Sequence, residues 1–135
     1  YPYNNELDCI QILEKLEKKK YIISLPKIKK NFQMDFVQWS FKEPLVINKF
    51  GIPEPSNGKI KFPDILLIPL LSFDTKLNRV GYGGGFYDRY IHRIKRKKKP
   101  LLIGLAYSFQ RVKSIPINRY DKKLDFVVTE RKIIE

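Results

Sequence analysis

The sequence predicts an α/β fold in which helices alternate with parallel strands. Three observations carry this. An apolar stripe at helical spacing near the start of the chain runs directly into a short β-branched segment, residues 21–25. Three continuously apolar runs, residues 65–69, 101–107 and 126–129, have the character of strands buried on both faces of a parallel sheet. Between the first two of these, Tyr87, Ile91 and Ile94 recur at helical spacing while Arg89, Arg93 and Arg96 point elsewhere.

The elements follow in order. After the opening turn of Tyr1, Pro2 and Tyr3, Asn4 or Asn5 is expected to cap a helix whose first turn carries Glu6 and Asp8, the acidic bias that a helix dipole favours. Ile10, Leu13 and Leu16, with Leu7 and Ile12 near the same face, form its apolar stripe, and Lys18, Lys19 and Lys20 close it with cations. The strand of residues 21–25 stops at Pro26. Residues 36–41 alternate, with Val37, Trp39 and Phe41 on one face and Phe36, Gln38 and Ser40 on the other. Residues 45–60 show no period and contain Pro53, Pro55, Gly51 and Gly58, which predicts a long connecting loop. No internal repeat, linker or second domain is evident, and the whole of 1–135 is expected to form one domain.

Composition narrows the function. With 43% hydrophobic and 13% aromatic residues the chain can build a core, despite 30% charged residues. The longest apolar run falls far short of the roughly 20 residues of a membrane span. One cysteine, Cys9, cannot form an internal disulfide; it lies on or near the apolar helix face and is read as packing. With a single histidine, no soft-ligand metal site is available. No secretion signal is recognisable, so a reducing, cytoplasmic location is expected, without a membrane partner. Lys plus Arg number 27 against 14 Asp plus Glu, a net charge of +13, which suits a polyanionic partner or phosphate-bearing small molecules. Drift toward lysine on solvated surfaces gives the same excess, so charge names no function.

The chemistry concentrates in one stretch. Four of the seven glycines, Gly81, Gly83, Gly84 and Gly85, fall within five residues, after a predicted strand and before a predicted helix. Such a loop lets backbone N–H groups approach a ligand, and at a helix N-terminus it makes an anion cradle suited to phosphate. A tight strand-to-helix connection alone needs one or two glycines. The loop lacks the Gly-Lys-Ser/Thr ending of a Walker A motif, and Phe86 breaks the dinucleotide pattern.

In context the stretch is more specific. Pro63 to Pro69, then Phe73-Asp74 and Asn78-Arg79-Val80-Gly81-Tyr82-Gly83-Gly84-Gly85-Phe86-Tyr87-Asp88-Arg89, resembles the signature of the 5-formyltetrahydrofolate cyclo-ligase (5,10-methenyltetrahydrofolate synthetase) family. Asn5-Glu6-Leu7-Asp8, Phe50-Gly51-Ile52-Pro53-Glu54-Pro55, Gly104-Leu105-Ala106-Tyr107, and Ile115-Pro116 through Asp121, Asp125 and Thr129-Glu130 fall in the family's order. The resemblance implies a three-layer α/β/α sandwich with a mostly parallel, Rossmann-like sheet of the CoA-transferase-like type. It implies a ligase that converts 5-formyltetrahydrofolate and ATP, with Mg²⁺, to 5,10-methenyltetrahydrofolate, ADP and phosphate. Arg79, Val80, Gly81, Tyr82, Gly83, Gly84, Gly85, Phe86 and Tyr87 would wrap the ATP phosphates, with Arg79 and Tyr82 the candidates for catalytic roles. Tyr1, Glu6 and Tyr82 to Phe86 would face the folate, and Asp88 and Asp121 would hold the magnesium; Trp39 and Phe36 are aromatic candidates to stack on the pterin or aminobenzoyl ring. The resemblance further implies a basic helix and a first core strand ahead of Tyr1. The chain is therefore expected to be N-terminally incomplete: trimmed, completed by an N-terminal fragment in trans, or an inactive remnant.

Each of these residues also has a plainer reading. Asp88 could serve only the helix dipole, Asp121 and Asp125 only a turn, Glu6 only a helix start, Arg79 only the surface, and Trp39 and Phe36 only the core. No Ser/His or Cys/His constellation offers a nucleophile. The implied chemistry requires none, because the substrate's own N10 attacks once the formyl oxygen has taken the γ-phosphoryl. A basic nucleic-acid-binding module is the reading from another class, and a nucleic-acid partner is not expected.

Overall fold

The computed structural model describes residues 6–135. Tyr1 and the proposed capping residues Asn4 and Asn5 lie outside the described residues. The chain gathers into two compact units, Tyr1–Pro63 and Asp64–Glu135.

The first unit begins with helix α1 (Ile10–Lys18), which starts later than expected. Asp8 Oδ1 accepts the N–H of Ile10 at 2.9 Å, so Asp8 serves an orphan donor from outside the helix, and Glu6 precedes it too. Leu13 is buried, with Ile10 and Leu16 half-buried on the same face, whereas Ile12 is exposed. Strand β1 (Ile23–Ile28) runs through Pro26 and pairs antiparallel with β2 (Met34–Trp39), Leu25 opposite Val37 and Ile28 opposite Met34. Their short connection, a single helical turn at Lys30–Phe32, permits only an antiparallel pair. β2, which covers most of the expected extended segment, is buried on both faces apart from Gln38.

The expected loop of residues 45–60 contains three short strands. β3 (Leu45–Ile47) pairs antiparallel with β4 (Pro53–Pro55), and β5 (Ile60–Lys61) joins the far edge of β2. Asn48 ties the β3–β4 turn together, its Oδ1 accepting the N–H groups of Phe50 and Ile52 at 2.8 and 3.1 Å. Pro53 and Pro55 are tolerated because β4 is short and paired on one side only.

The second unit carries the parallel sheet. Its strands are β6 (Ile65–Pro69), β7 (Ser72–Phe73), β8 (Arg79–Val80), β9 (Leu101–Leu105), β10 (Phe126–Val128) and β11 (Ile133–Ile134), with helix α2 (Phe86–Ile94) between β8 and β9. The main sheet has the order β11-β10-β9-β6, parallel between β6, β9 and β10 and antiparallel at β11. Parallel neighbours need a crossover, and α2 lies on the one from β6 to β9. Leu66, Ile68, Leu102 and Val127 on one face join Tyr90, Ile91 and Ile94 of α2 among the buried side chains. Tyr90, not Tyr87, completes the buried stripe of α2. The strands do not bury both faces fully: Ile65 is 53% exposed and Leu67 only half-buried. The α/β class is as expected, with the parallel strands in the second unit and antiparallel pairs in the first. Among the described residues no helix is long and apolar enough to cross a membrane.

Candidate functional site

The glycine loop leaves the β7–β8 hairpin, and that hairpin is built around one carboxylate. Asp74 is 2% exposed. Its Oδ1 accepts the N–H groups of Lys76 and Asn78 at 3.0 Å each, and its Oδ2 accepts Asn78 Nδ2 at 3.1 Å and the Ile115 N–H at 3.0 Å. Burial pushes the Asp74 carboxyl up, but the hydrogen bonds from Asn78, Ile115 and Lys76 outweigh it and hold the group below its ordinary range. The bonds also hold Leu77 at a φ of 67°, a left-handed conformation that a leucine rarely adopts. Sequence reasoning gave Asp74 no role. The available signal was an Asp four residues before an Asn at the tip of a predicted turn.

Arg79 follows in β8. Its side chain is 7% exposed, and Nη2 bonds Asp88 Oδ1 at 3.0 Å, joining the base of the loop to the first turn of α2. Arg79 Nε is buried with no hydrogen-bond partner among the described residues. A Cβ on Gly81 would stand 3.1 Å from Arg79 Nη1, so the missing side chain lets the guanidinium lie against the loop.

Gly83 (φ 94°) and Gly85 (φ 64°) take positive φ, with Gly85 as the N-cap of α2. These conformations are strained for any residue with a side chain. Among the described residues the amides of Gly81, Gly83, Gly84 and Gly85 donate to no backbone carbonyl, so these four donors are not spent on the backbone. Arg89 Nη2 bonds the Gly84 carbonyl at 2.6 Å, and its guanidinium lies 5.2 Å from the centre of the Phe86 ring. Tyr82 is exposed on the loop, and Phe86 and Tyr87 are half-buried at the start of α2.

The two proposed metal ligands lie close together. Asp88 Oδ1 accepts the Lys122 N–H at 3.1 Å as well as Arg79, which places the turn carrying Asp121 against the start of α2. Asp121 Oδ2 accepts the Asn118 N–H at 3.0 Å. Each carboxylate keeps one oxygen outside these bonds. No group of three or more His, Cys, Asp or Glu side chains able to hold a metal occurs among the described residues. Two carboxylates fit Mg²⁺, which is held by one or two of them and completes its octahedron from phosphate oxygens and water, and they do not form an all-protein cage. Asp125 has a structural partner instead, its Oδ2 accepting the Leu102 N–H at 2.7 Å.

The candidates of the first unit have their own surroundings. Trp39 and Phe36 are buried, and the Trp39 indole N–H donates to the Glu43 carbonyl at 3.2 Å, which puts this ring in the unit's core. Glu6 is half-buried just ahead of α1. Cys9 is half-buried at the N-cap position of α1, where burial pushes its thiol up, the opposite of what a nucleophile needs. Tyr1 lies outside the described residues.

Comparison with known proteins gives the family. The profile described as "5-formyltetrahydrofolate cyclo-ligase family" matches residues 1–130. A 5-formyltetrahydrofolate cyclo-ligase of Haemophilus influenzae is 38% identical over 132 residues, spanning 92% of this chain and 70% of that protein. A probable 5-formyltetrahydrofolate cyclo-ligase of Schizosaccharomyces pombe is 32% identical over 128 residues, spanning 83% and 63%. The NMR structure of Aquifex aeolicus 5,10-methenyltetrahydrofolate synthetase aligns with a TM-score of 0.79 at 29% identity, over 98% of this chain and 67% of that one. The chain thus spans about two thirds of the length of these relatives. With a profile match that includes the glycine loop, Arg79, Asp88 and Asp121, the chain belongs to the 5-formyltetrahydrofolate cyclo-ligase family.

Proposed function

We propose that the protein is a cyclo-ligase that closes 5-formyltetrahydrofolate to 5,10-methenyltetrahydrofolate, with ATP as phosphoryl donor and Mg²⁺ as cofactor. The observation that carries this reading is the glycine loop, where among the described residues the amides of Gly81, Gly83, Gly84 and Gly85 donate to no backbone carbonyl, between a buried arginine and the start of a helix. Backbone donors held in this way need no reorganisation to receive phosphate oxygens. The Arg79 Nε–H, buried without a partner, supports the same reading, since an unmade bond there is costly until an anion supplies an acceptor.

In the proposed reaction the formyl oxygen attacks the γ-phosphorus and ADP leaves. N10 then attacks the activated formyl carbon, loses its proton, and the carbon–oxygen bond breaks as phosphate departs with the oxygen. Magnesium, held by Asp88 and Asp121, would neutralise phosphate charge. The chain's share is alignment and electrostatic support: the amides of Gly81 to Gly85 hold the phosphates, Arg79 stabilises the migrating phosphoryl, and Tyr82 lies on the exposed side of the loop where the folate would approach. Glu6 and Tyr1 are proposed folate contacts through the family resemblance alone.

The test is to incubate the chain with 5-formyltetrahydrofolate, ATP and Mg²⁺, following the absorbance of the methenyl product and the release of phosphate. Product and phosphate in equal amounts, lost when either ATP or Mg²⁺ is omitted, support the reading. Binding of both substrates without product would instead identify a non-catalytic member of the family.

A further inference from the structure

The short helical turn at Ser108–Gln110, just after β9, carries an exposed aromatic pair that nothing above uses. Tyr107 and Phe109 stack with ring centres 5.5 Å apart and planes within 7° of parallel, although Phe109 is 81% exposed and Tyr107 38%. The pair is firmly anchored. Gln110 Oε1 accepts the Tyr107 N–H at 2.7 Å, and Gln110 Nε2 donates to the carbonyls of Leu70 and Leu71 at 2.9 and 3.1 Å. Glu130 accepts the Ser108 N–H at 2.8 Å and its hydroxyl at 2.5 Å. A scattered exposed phenylalanine needs no explanation. A stacked pair on an anchored turn presents a flat apolar face to water, and such a face suits a planar ring.

Its position says which ring. The turn follows β9, at the carboxyl ends of parallel strands, where open α/β sheets take their ligands. Leu71 lies between the turn and the glycine loop: its carbonyl receives Gln110, and its N–H donates to the Val80 carbonyl at 2.8 Å. Phe73 pairs with Arg79 of β8 and bridges Arg111 on its other side, so the backbone that closes the turn and the strand that opens into the loop stand about two strand spacings apart, roughly 10 Å. Leu71 and Val80 are themselves exposed apolar side chains between them.

We infer that the Tyr107–Phe109 pair is the platform on which the adenine of the bound nucleotide stacks. This rests on the reading of the glycine loop as an ATP phosphate site. The phosphates tether the base at a reach matching the separation, a constraint that the pteridine of the other substrate does not share. Glu130 lies beside the platform, and its bonds from Ser108 hold its carboxyl below the ordinary range, so it stays an ionised acceptor for sugar hydroxyls.

Calorimetric titration of the full chain with Mg-ATP and with magnesium tripolyphosphate, which has the phosphates but no base, tests the platform. Phe109→Ala is expected to weaken Mg-ATP binding roughly tenfold, the scale of one lost base–aromatic stack, and to leave tripolyphosphate binding unchanged. Phe109→Tyr is expected to retain ATP affinity. Unchanged ATP affinity in Phe109→Ala overturns the platform while leaving the phosphate loop standing. Equal loss for both ligands overturns it as well, as does a loss confined to 5-formyltetrahydrofolate. A wild-type chain that binds neither ATP nor tripolyphosphate overturns the loop reading and the platform together.

Discussion

At the scale of single residues, Asp74 and Arg79 divide the labour between them. Asp74 spends both carboxylate oxygens on four donors, so Asp74→Asn turns an NH₂ group toward two of them whichever way the amide is placed. A loss of about 1–3 kcal/mol is expected, read as a lower denaturant midpoint. The folded-state carboxyl is held below its unfolded value, so its stabilisation is fully present above the unfolded pKa, near 3.9, and disappears as the pH falls through the folded value. The stability of the wild type should therefore fall more steeply below about pH 4 than that of Asp74→Asn, a comparison made by denaturant titration at several pH values. Arg79→Ala is expected to lower turnover by about a hundredfold, the scale of one lost transition-state donor. The sequence leaves Arg79 either a phosphate clamp or an ordinary surface side chain. The ion pair with Asp88, on a side chain 7% exposed, adds a stability loss, because Asp88 is left without its counterion. Arg79→Lys, which keeps the charge but not the fork, should recover stability more than turnover.

Among the elements, the glycine loop and the parallel strands respond to an added methyl group in opposite ways. A Cβ on Gly83 meets nothing within 4 Å, but the φ of 94° disfavours it. Gly83→Ala should therefore weaken Mg-ATP binding by shifting the loop, with little change in the melting temperature of the free protein; calorimetry and a thermal melt separate the two effects. Gly104 lies within β9, and its added Cβ would stand 2.6 Å from Leu124 Cδ1 and 2.9 Å from Leu70 Cδ2. Gly104→Ala should lower stability by about 1–3 kcal/mol through overpacking, visible in the melt without ligand. The prolines of β4 show why this strand was hidden in the sequence: two prolines in three residues argue for a loop until a one-sided partner, β3, accommodates them.

For the whole molecule, the net charge of +13 acts on stability and on binding with opposite signs. Self-repulsion is relieved by salt, so the melting temperature of the free chain should rise between low and roughly 0.3 M NaCl. Over the same range Mg-ATP affinity should fall, because attraction of the basic surface for the polyphosphate is screened. Saturating Mg-ATP at fixed low salt should raise the melting temperature by several degrees, since ligand at about 100 times its dissociation constant contributes ~2.7 kcal/mol.

The α/β class, the three parallel strands β6, β9 and β10 and the glycine loop were legible in the sequence, because period and residue type act locally: continuous apolar runs demand burial, and clustered glycines before a helix demand an unusual backbone. What lay outside reach depended on partners distant along the chain. Asp74 becomes a clamp only when Ile115 arrives 41 residues later, and Arg79 meets Asp88 across the loop instead of facing solvent. Tyr90 displaces Tyr87 from the buried stripe because the sheet, not the helix alone, decides which face of α2 is covered. Helical period and apolar content are written in the chain itself. Which polar group satisfies which is settled only when tertiary packing removes water and makes each unpaired donor or acceptor costly.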